Sequence, residues 1–559
     1  MILGIDVGGT HTDAVLIDQF AVLKKAKVLT DGRNLLTSLL AVTNELVDES
    51  TVGQLERVVL STTISTNAIV QNKVDRVGML VVSGPGLPPA LYDVHQDTYF
   101  MSGYINHRGM EIAGIDRKAA LRMRDRFHSE GIRNVGIVGK FSTRNPRQEI
   151  ELREIVQDRL DHVTLGHRMS GHLNFPRRIA TTYLNEAIWG LYQKFVNEVL
   201  HFVHTRGINV PIYILKADGG TFDISQSAEF PVQTILSGPA ASIMGILTTT
   251  GCDSDAIALD IGGTTTDIAV FADGVPLFEP FGVTIEGHKT LIRGLRTRSI
   301  GVGGDSVVRL REGGLYVGPD REGPAAAFGG PFPTPTDAMI VLGMTGIGCP
   351  DKAAAAIIPL ADALHCTVGE AARAIYRQTC LQIVGQVRDF VEEINNQPVY
   401  TIHEMLDGKR LNPRLLYVVG GPAGLLAPEL GRLLECEARI PIHAEVANAI
   451  GAALARTTAE MTLLADTERR TLTIGEEGLQ TTIPQHFTME DAVCVGREKL
   501  REKVLNMGAA QEDIDIEVVE AQEFNMIREY CTTGKNIRVK VQIKPGCIAD
   551  LKGGNALCR

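Results

Sequence analysis

The segment IDVGGTHTD at residues 5–13 is repeated as LDIGGTTTD at residues 259–267. From the first aspartate to the last, the two copies share six of eight residues: Asp, Gly, Gly, Thr, Thr and Asp. Apolar runs precede and follow each copy, and a glycine-containing turn between two apolar runs predicts a β-hairpin. The copies lie almost half the chain apart, which is much too far for a solenoid repeat. The sequence therefore predicts two similar lobes that each begin with the same hairpin.

Strand-like and helix-like segments alternate between the two hairpins. Residues 57–60, 77–82 and 135–138 are short apolar runs typical of buried strands, whereas residues 117–130 and 148–160 have amphipathic helical spacing. Alternation of this kind predicts an α/β fold. After the second hairpin, a glycine-rich stretch at 301–335 predicts irregular surface loop, and residues 353–395 predict helix.

The composition of the chain changes beyond about Ala459. Thr488 and Asp491 resemble a capping box that begins a helix, and Gly508 ends that helix. Strand-like runs flank it, so we predict a small α+β domain, and we interpret it as a packing or assembly domain because it has no recognisable chemistry. The predicted domains are residues 1–175, 176–458 and 459–559.

The overall composition excludes several classes of protein. Hydrophobic residues make up 44% and charged residues 22%, as in an ordinary globular protein. The net charge of −11 gives no broad attraction for nucleic acid or anionic lipid. Nine scattered cysteines without metal-type spacing are typical of reduced thiols. With no signal-peptide pattern and no membrane-length apolar run, we expect a cytoplasmic protein that binds neither nucleic acid nor membrane.

Each hairpin contains groups that can bind phosphate and a divalent metal. Glycines let backbone N–H groups approach an anion, and threonine hydroxyls add further donors. Two such turns facing each other would hold a polyphosphate, with aspartates holding Mg²⁺ largely through its waters. The predicted metal and catalytic residues are Asp6, Asp260 and Asp267. The predicted phosphate-binding residues are Gly8, Gly9, Thr10, Thr12, Gly262, Gly263, Thr264 and Thr266.

A third glycine-rich element, GGPAG at residues 420–424, lies between a predicted strand at 415–419 and a predicted helix. Gly420 and Gly421 would let the backbone lie flat against a planar ring, and the helix N-terminus favours negative charge nearby. Strand–Gly–Gly–helix is also an ordinary tight connection, so the order of the elements carries the argument. Two phosphate hairpins followed by an adenosine-binding loop resemble the actin, sugar kinase and heat-shock chaperone ATPase superfamily.

Shorter motifs narrow this resemblance. In chain order they are STTISTNA at 61–68, NP at 145–146, LSGPA at 236–240, DIGGTTTD at 260–267, GGL at 313–315, VGP at 317–319 and PTDA at 335–338. Together they resemble the hydantoinase A/oxoprolinase family over about residues 1–455. The resemblance implies an α/β fold with two ribonuclease H-like lobes, and ATP and Mg²⁺ in the cleft between them.

The family resemblance also implies a reaction. Its members use ATP to attack a cyclic amide, of the hydantoin or 5-oxoproline class, or to carboxylate a ketone. Phosphorylation of an amide carbonyl oxygen needs mainly positioning and charge neutralisation from the protein. Many members work beside a separate subunit, so we expect a hydantoinase B-type partner and an oligomer. Two alternatives stay open: an ATP-driven switch or reactivating factor for another enzyme, and a small-molecule kinase.

Several residues depart from the family pattern or have simpler interpretations. The family usually has His-Gly-Thr-Thr where this chain has LSTT at residues 60–63, and we expect this change to affect the substrate side and leave the ATP site untouched. Ser237 is interpreted as part of a helix-capping turn and not as a nucleophile. Asp305 fits a cleft residue and an Asx-turn equally well, and Thr336 with Asp337 fits a helix cap.

Overall fold

The computed structural model describes a mixed α/β protein built on four larger β-sheets and several two-stranded pairs. The predicted α/β class is therefore confirmed. The described residues are 1–31, 34–86, 88–92, 97–311, 313–396 and 410–551.

The first sheet forms around the N-terminal strand. Ile2–Val7 pairs antiparallel with His11–Asp18 and parallel with Arg57–Thr62. All six residues of Ile2–Val7 are buried, as expected for a strand covered on both faces. The spatial order of this sheet is Thr221–Asp223, Ile212–Leu215, Arg57–Thr62, Ile2–Val7, His11–Asp18 and Ala21–Leu29.

A second six-stranded sheet repeats this arrangement around the other hairpin. Ala256–Ile261 pairs antiparallel with Thr266–Ala272 and parallel with Leu415–Val419, so the predicted strand at 415–419 is confirmed. The Gly8 N–H donates to the His11 carbonyl at 3.0 Å, and the Gly262 N–H donates to the equivalent carbonyl, three residues on, at 2.9 Å. Both predicted hairpins are present. The strand order is Val275–Pro276, Thr266–Ala272, Ala256–Ile261, Leu415–Val419 and Glu437–Arg439, with Thr297–Ile300 also paired to Thr266–Ala272.

Two further sheets lie outside the hairpins. One has the order His162–Leu165, Asn134–Gly139, Val77–Val82 and Thr98–Phe100. The other belongs to the C-terminal part and has the order Leu479–Thr482, Thr471–Ile474, Glu460–Asp466, Cys531–Ile543 and Ile516–Arg528. Small antiparallel pairs join Tyr104–Ile105 to Glu111–Ala113, Thr284–Ile285 to His288–Lys289, and Val308–Arg311 to Gly314–Val317. The last pair corrects the expectation of wholly irregular structure at 301–335.

Helices connect and cover the sheets. The predicted helix at 353–395 is two helices, because His365 has a left-handed φ of 54° and Thr367 begins a new helix with a capping box to Glu370. The predicted capping box of Thr488 and Asp491 is confirmed. The α-helices are Leu35–Asn44, Glu49–Val52, Ile64–Val70, Arg117–Ser129, Arg147–Val156, Phe175–Thr205, Ile224–Glu229, Ser237–Thr250, Pro335–Val341, Pro350–Ala363, Val368–Asn395, Ala423–Leu434, Ala447–Leu454 and Met489–Asn506.

Two helices, Ser237–Thr250 and Ala447–Leu454, pack against each other between the two hairpin sheets. Small residues permit this close approach, since a Cβ added at Gly245 or Gly451 would lie 2.2 or 2.0 Å from a backbone oxygen of the facing helix. The second residue of helix Ala447–Leu454 is Asn448. The packing therefore carries a polar side chain to the point where the two hairpins meet.

The division into domains stays a prediction. Strands Ile212–Leu215 and Thr221–Asp223 belong to the sheet of the first hairpin, although they lie within the predicted second domain. Residues 552–559 of the predicted third domain lie outside the described residues. Among the residues described, no helix combines the length and apolar character needed to cross a bilayer.

Candidate active site

The structure brings the first aspartates of the two hairpins together. The Asn448 side-chain amide donates to Asp6 Oδ2 at 3.4 Å and to Asp260 Oδ2 at 3.3 Å. Asp6 and Asp260 are equivalent residues of the repeat and lie near the ends of equivalent strands. Two carboxylates from distant parts of the sequence therefore share one amide. The sequence analysis missed Asn448, whose one signal is a polar residue inside a run of small ones.

Asp6 is buried, with 6% of its surface exposed. Burial raises its pKa to about 7, and the neighbouring charges of Asp13 and Asp260 act in the same direction. The Ser61 hydroxyl, one strand away in register, donates a hydrogen bond to Asp6 and lowers the pKa in part. Ser61 lies in the LSTT segment, so the expectation that this departure leaves the predicted ATP site untouched is wrong.

Asp260 and Asp267 face each other across the second hairpin. They are paired in register, which places their side chains on one face of the sheet. The Ser242 hydroxyl donates to Asp260 at 2.5 Å, and the Ser299 hydroxyl donates to Asp267. Burial and the charge of Asp260 together raise the pKa of Asp267 to about 7, and the Ser299 hydrogen bond offsets part of this rise.

Asp13 is the counterpart of Asp267 in the first hairpin. It is paired in register with Asp6, and the Lys27 ammonium donates to it at 2.9 Å. Burial raises the pKa of Asp13, and Lys27 partly reverses that effect. The sequence analysis left Asp13 out of the site, although the repeat itself marks it.

The donor set fits a hydrated metal ion better than a fully protein-ligated one. Within the described ranges, no three His, Cys, Asp or Glu side chains are grouped so that they could hold one ion. Asp267 therefore does not complete a three-carboxylate group with Asp6 and Asp260. Two carboxylates with an adjacent amide still offer oxygen ligands, and Mg²⁺ bound by few carboxylates keeps several waters.

Hydrogen bonds from other parts of the chain hold both turns in place. In the first turn, Thr30 donates to the Gly8 carbonyl through its hydroxyl at 2.9 Å and to the Thr10 carbonyl through its amide at 3.0 Å. In the second turn, the amides of Gly304 and Asp305 donate to the carbonyls of Gly262 and Gly263 at 2.9 and 2.6 Å. Protein N–H and O–H groups donate to these carbonyl oxygens, which reduces the repulsion that the oxygens would exert on a bound anion.

Six of the eight predicted phosphate-binding residues keep some exposure. Thr12 and Thr266 are different because both side chains are fully buried. The Thr12 hydroxyl bonds to the Thr30 hydroxyl at 2.9 Å, and the Thr266 hydroxyl donates to the Val302 carbonyl at 2.6 Å. These two hydroxyls hold the turns together and do not fit the predicted contact with phosphate. The remaining candidates are Gly8, Gly9, Thr10, Gly262, Gly263 and Thr264.

An arginine that the sequence analysis did not select joins the two turns. The Arg321 guanidinium lies 3.3 Å from the Thr10 hydroxyl and 3.2 Å from the Asp305 carboxylate. The Asp305 amide in turn donates to the Gly263 carbonyl, so Asp305 lies against the second turn. Arg321 thus places a positive charge beside both turns, and only its place in a glycine-rich segment could have indicated this.

The two glycines of the third element have different surroundings. Gly420 has a φ of +97°, and a Cβ there would lie 2.3 Å from the Ile261 carbonyl and 2.9 Å from Asp260. Its hydrogen side chain is therefore required for packing against the second hairpin. Gly421 has open space around its Cβ position and precedes helix Ala423–Leu434, so it fits the predicted nucleoside contact better.

Two residues with simpler interpretations have structural roles. Ser237 is buried and its hydroxyl donates to the Thr62 carbonyl at 2.8 Å, so it ties a helix to the first sheet but does not cap that helix. Thr334, and not Thr336, caps helix Pro335–Val341, with Asp337 completing a capping box.

Family models match most of the chain. The hydantoinase/oxoprolinase N-terminal region matches residues 2–160, and the hydantoinase/oxoprolinase model matches residues 178–461.

Three curated relatives have 24–26% identity to this chain. An uncharacterized protein of Methanocaldococcus jannaschii is 24% identical over 81% of this chain and 72% of its own length. The caprolactamase subunit alpha of Pseudomonas jessenii is 26% identical over 62% of this chain and 55% of its own length. The acetophenone carboxylase gamma subunit of Aromatoleum aromaticum is 24% identical over 61% of this chain and 53% of its own length. The matched region thus spans about half the length of the two named enzymes.

Two solved structures share the fold. A nucleotide-free acetone carboxylase, described in a study of ATP-dependent acetone carboxylation, aligns over 99% of this chain and 88% of its own with a TM-score of 0.76 and 17% identity. The ATP-dependent caprolactamase of Pseudomonas jessenii aligns over 97% of this chain and 87% of its own with a TM-score of 0.71 and 21% identity. Together with the two family models, the repeated hairpins place this chain in the hydantoinase/oxoprolinase family.

Proposed function

We propose that this protein is an ATP-dependent enzyme that activates the carbonyl group of a small cyclic amide for hydrolysis. The observation that carries the proposal is the single amide of Asn448 that joins Asp6 and Asp260, one from each duplicated turn. This arrangement sets two anion-binding turns and two carboxylates at one place. The ATP-dependent relatives support ATP as the partner of that site.

In this proposal residues 1–175 and 176–458 form two ribonuclease H-like lobes, and residues 459–559 form a third unit. The triphosphate lies between the turns at residues 8–10 and 262–264, where backbone N–H groups and Arg321 neutralise its charge. Gly421 faces the nucleoside. Asp6 and Asp260 would hold a hydrated Mg²⁺, which when bound would neutralise phosphate charge.

The proposed reaction requires little covalent catalysis by the protein. The amide carbonyl oxygen attacks the γ-phosphorus, and an O–P bond forms as the bond to ADP breaks. Water then adds to the activated carbon, and the ring opens at its C–N bond, which leaves an acyl phosphate and a free amine. A second water hydrolyses the acyl phosphate and releases phosphate. The balance is cyclic amide, ATP and two waters to ring-opened amino acid, ADP and phosphate. The chain's own residues orient the reactants and hold the phosphates.

Carboxylation of a ketone is the second candidate function. The relative named as an acetophenone carboxylase subunit and the acetone carboxylase fold favour it. Both reactions can begin with phosphorylation of a carbonyl oxygen, and they differ in the group that attacks afterwards. We also propose a hydantoinase B-type partner within an oligomer, because the named relatives are subunits.

The experiment that tests the proposal is release of ADP and phosphate with a substrate panel. Hydantoin, 5-oxoproline, caprolactam, and ketones with bicarbonate are compared with and without a copurified partner, using wild type and Asp6→Asn. Stimulation by a cyclic amide, lost in Asp6→Asn, supports amide hydrolysis, whereas stimulation only by ketone with bicarbonate assigns carboxylation. If ATP binds and no compound stimulates turnover, the enzyme proposal is wrong and the switch alternative is favoured. Label from ATP that stays on the product assigns a kinase.

A further inference from the structure

A cavity of about 500 Å³ lies between the edge of the first hairpin sheet and the C-terminal sheet. Lys216, Asp218, Arg293, Glu460 and Glu476 are among the residues that line it. Its volume falls in the range of small-molecule sites, which is roughly 300–1,000 Å³. None of these residues belongs to the site described above.

Lys216, a lining residue, follows its strand at the same edge of the first sheet as the first turn. Ile5, Leu60 and Ile214 lie in register across three parallel strands. Carboxyl ends of parallel strands share one edge, and neighbouring strands are about 4.8 Å apart, so Lys216 leaves the sheet about 10 Å from the strand that holds Asp6. A ligand in the cavity is therefore a close neighbour of the proposed triphosphate.

The inner end of the cavity carries two cations and one anion. The buried Lys216 ammonium donates to the Thr458 carbonyl at 2.8 Å and lies 3.4 Å from Asp218. The Arg293 guanidinium lies 3.8 Å from the same carboxylate, beyond a direct hydrogen bond. Lys540, 2.8 Å from Glu460, balances that second acid. Two cations, Lys216 and Arg293, therefore lie beside the single Asp218 carboxylate, which favours an acceptor or anionic group on a ligand near them.

Glu476 also lines the cavity, but its two carboxylate oxygens are shielded from the open space. The Thr462 hydroxyl is a hydrogen-bonding neighbour of this carboxyl group, and burial raises its pKa, which favours the neutral form. Glu476 therefore does not oppose an acceptor group of a ligand with a negative charge.

Apolar side chains complete the wall. Phe222, Val232, Ile292, Met461 and Ile474 line the cavity beside the charged residues. They suit ring methylenes, while the cations suit a carbonyl or carboxylate.

We propose that this cavity is the binding site for the cyclic amide, and that it selects a small ring bearing a second acceptor group, which Arg293 and Lys216 hold. This inference rests on the proposed function and adds the location of the acceptor substrate. Residues 459–559 then contribute half of the substrate site, which revises their interpretation as a packing unit without chemistry.

The test uses two ligands that share a five-membered lactam, 5-oxoproline with its carboxylate and 2-pyrrolidinone without it. KM for lactam-stimulated phosphate release and the Kd of an ATP analogue are measured for wild type, Arg293→Gln and Arg298→Gln. Arg298 is the matched control because it lies outside the cavity and pairs with Glu393.

We expect wild type to prefer 5-oxoproline, and Arg293→Gln to raise its KM at least about tenfold with nucleotide affinity unchanged. Arg298→Gln should change neither value. If Arg293→Gln does not fold, Asn506→Trp, which fills the cavity from an exposed position, should raise KM for both lactams. An unchanged KM in the folded variant overturns the cavity assignment but leaves the proposed function standing. No stimulation of wild type by either lactam or by the wider amide panel overturns the proposed function and this inference with it.

Discussion

The two hairpins have nearly the same sequence but different neighbours. In each, a third strand pairs with the second aspartate in register: Lys27 lies opposite Asp13, and Ser299 lies opposite Asp267. Lys27 brings a positive charge to the first hairpin, whereas Ser299 brings only a hydroxyl to the second. The repeated sequence therefore fixes the backbone conformation of both turns. The charge beside each second aspartate is set by a third strand, which follows the first hairpin directly and the second hairpin at a greater distance along the chain.

This difference gives the hairpins unequal roles. The Lys27 charge partly reverses the effect of burial on the pKa of Asp13, but the pKa of Asp267 rises to about 7 without a cation. The second hairpin thus carries a carboxyl group beside Asp260 that titrates near neutral pH. We expect the first aspartates to be equivalent in function and the second aspartates to differ.

The largest expected effect tests the equivalence of the first aspartates. Asp6→Asn and Asp260→Asn should each lower substrate-stimulated ATP turnover about 100-fold or more, because each removes a charge that neutralises metal and phosphate. Steady-state phosphate release measures this. Asp18→Asn, at the far end of the strand that carries Asp13, is the control and should retain activity. A large loss in only one of the two variants would contradict the shared site.

Removal of the bridging amide should have the next largest effect. Asn448→Ala takes a hydrogen-bond donor from Asp6 and Asp260 and leaves their charges facing each other. Because the Asn448 hydrogen bond lowers the pKa of Asp6, its loss should move the acid limb of turnover to higher pH. We expect about tenfold weaker binding of Mg²⁺–ATP analogue, measured by titration calorimetry. Unchanged affinity together with an unchanged pH profile would remove Asn448 from the site.

The pH dependence of stability should separate Asp267 from Asp13. A folded-state pKa near 7, against about 3.9 in the unfolded chain, means that the native state binds more protons between these values. The nucleotide-free protein should therefore lose stability as pH rises from 4 to 7, and Asp267→Asn should reduce that slope.

Asp13→Asn is the matched comparison because it leaves Lys27 without its carboxylate. We expect it to raise stability at pH 8 by less than Asp267→Asn does, because Lys27 offsets part of the effect of burial on the ionised Asp13. Denaturant unfolding at several pH values measures both, and equal responses would refute the distinction between the hairpins.

The smallest expected effect concerns the hydrogen bonds from Thr30 and Ser306 that hold the two turns in place. Thr30→Val leaves the Gly8 carbonyl and the Thr12 hydroxyl without a partner, and Ser306→Ala removes bonds to the Gly303 amide and the Thr264 carbonyl. Each should lower the free energy of unfolding by about 1–3 kcal/mol. Urea unfolding at fixed pH checks this, and a change below about 0.5 kcal/mol would show that the support is unimportant.

Local patterns predicted the hairpins and many of the strands, because turn residues and apolar alternation act over a few positions. The contacts that complete the site are long-range. Asn448 is 442 residues from Asp6, and Arg321 is 311 residues from Thr10. From the sequence, Ser61 is only a departure from a family pattern. Its contact with Asp6 follows from the register of their two strands. The cavity at Lys216 likewise depends on how the C-terminal sheet packs.

The most direct measurement is a crystal structure with a non-hydrolysable ATP analogue and Mn²⁺, located by its anomalous signal. The account predicts the triphosphate between the turns at residues 8–10 and 262–264, with the metal beside Asp6 and Asp260. A nucleotide bound to one hairpin alone, or bound in the cavity at Lys216, would contradict it.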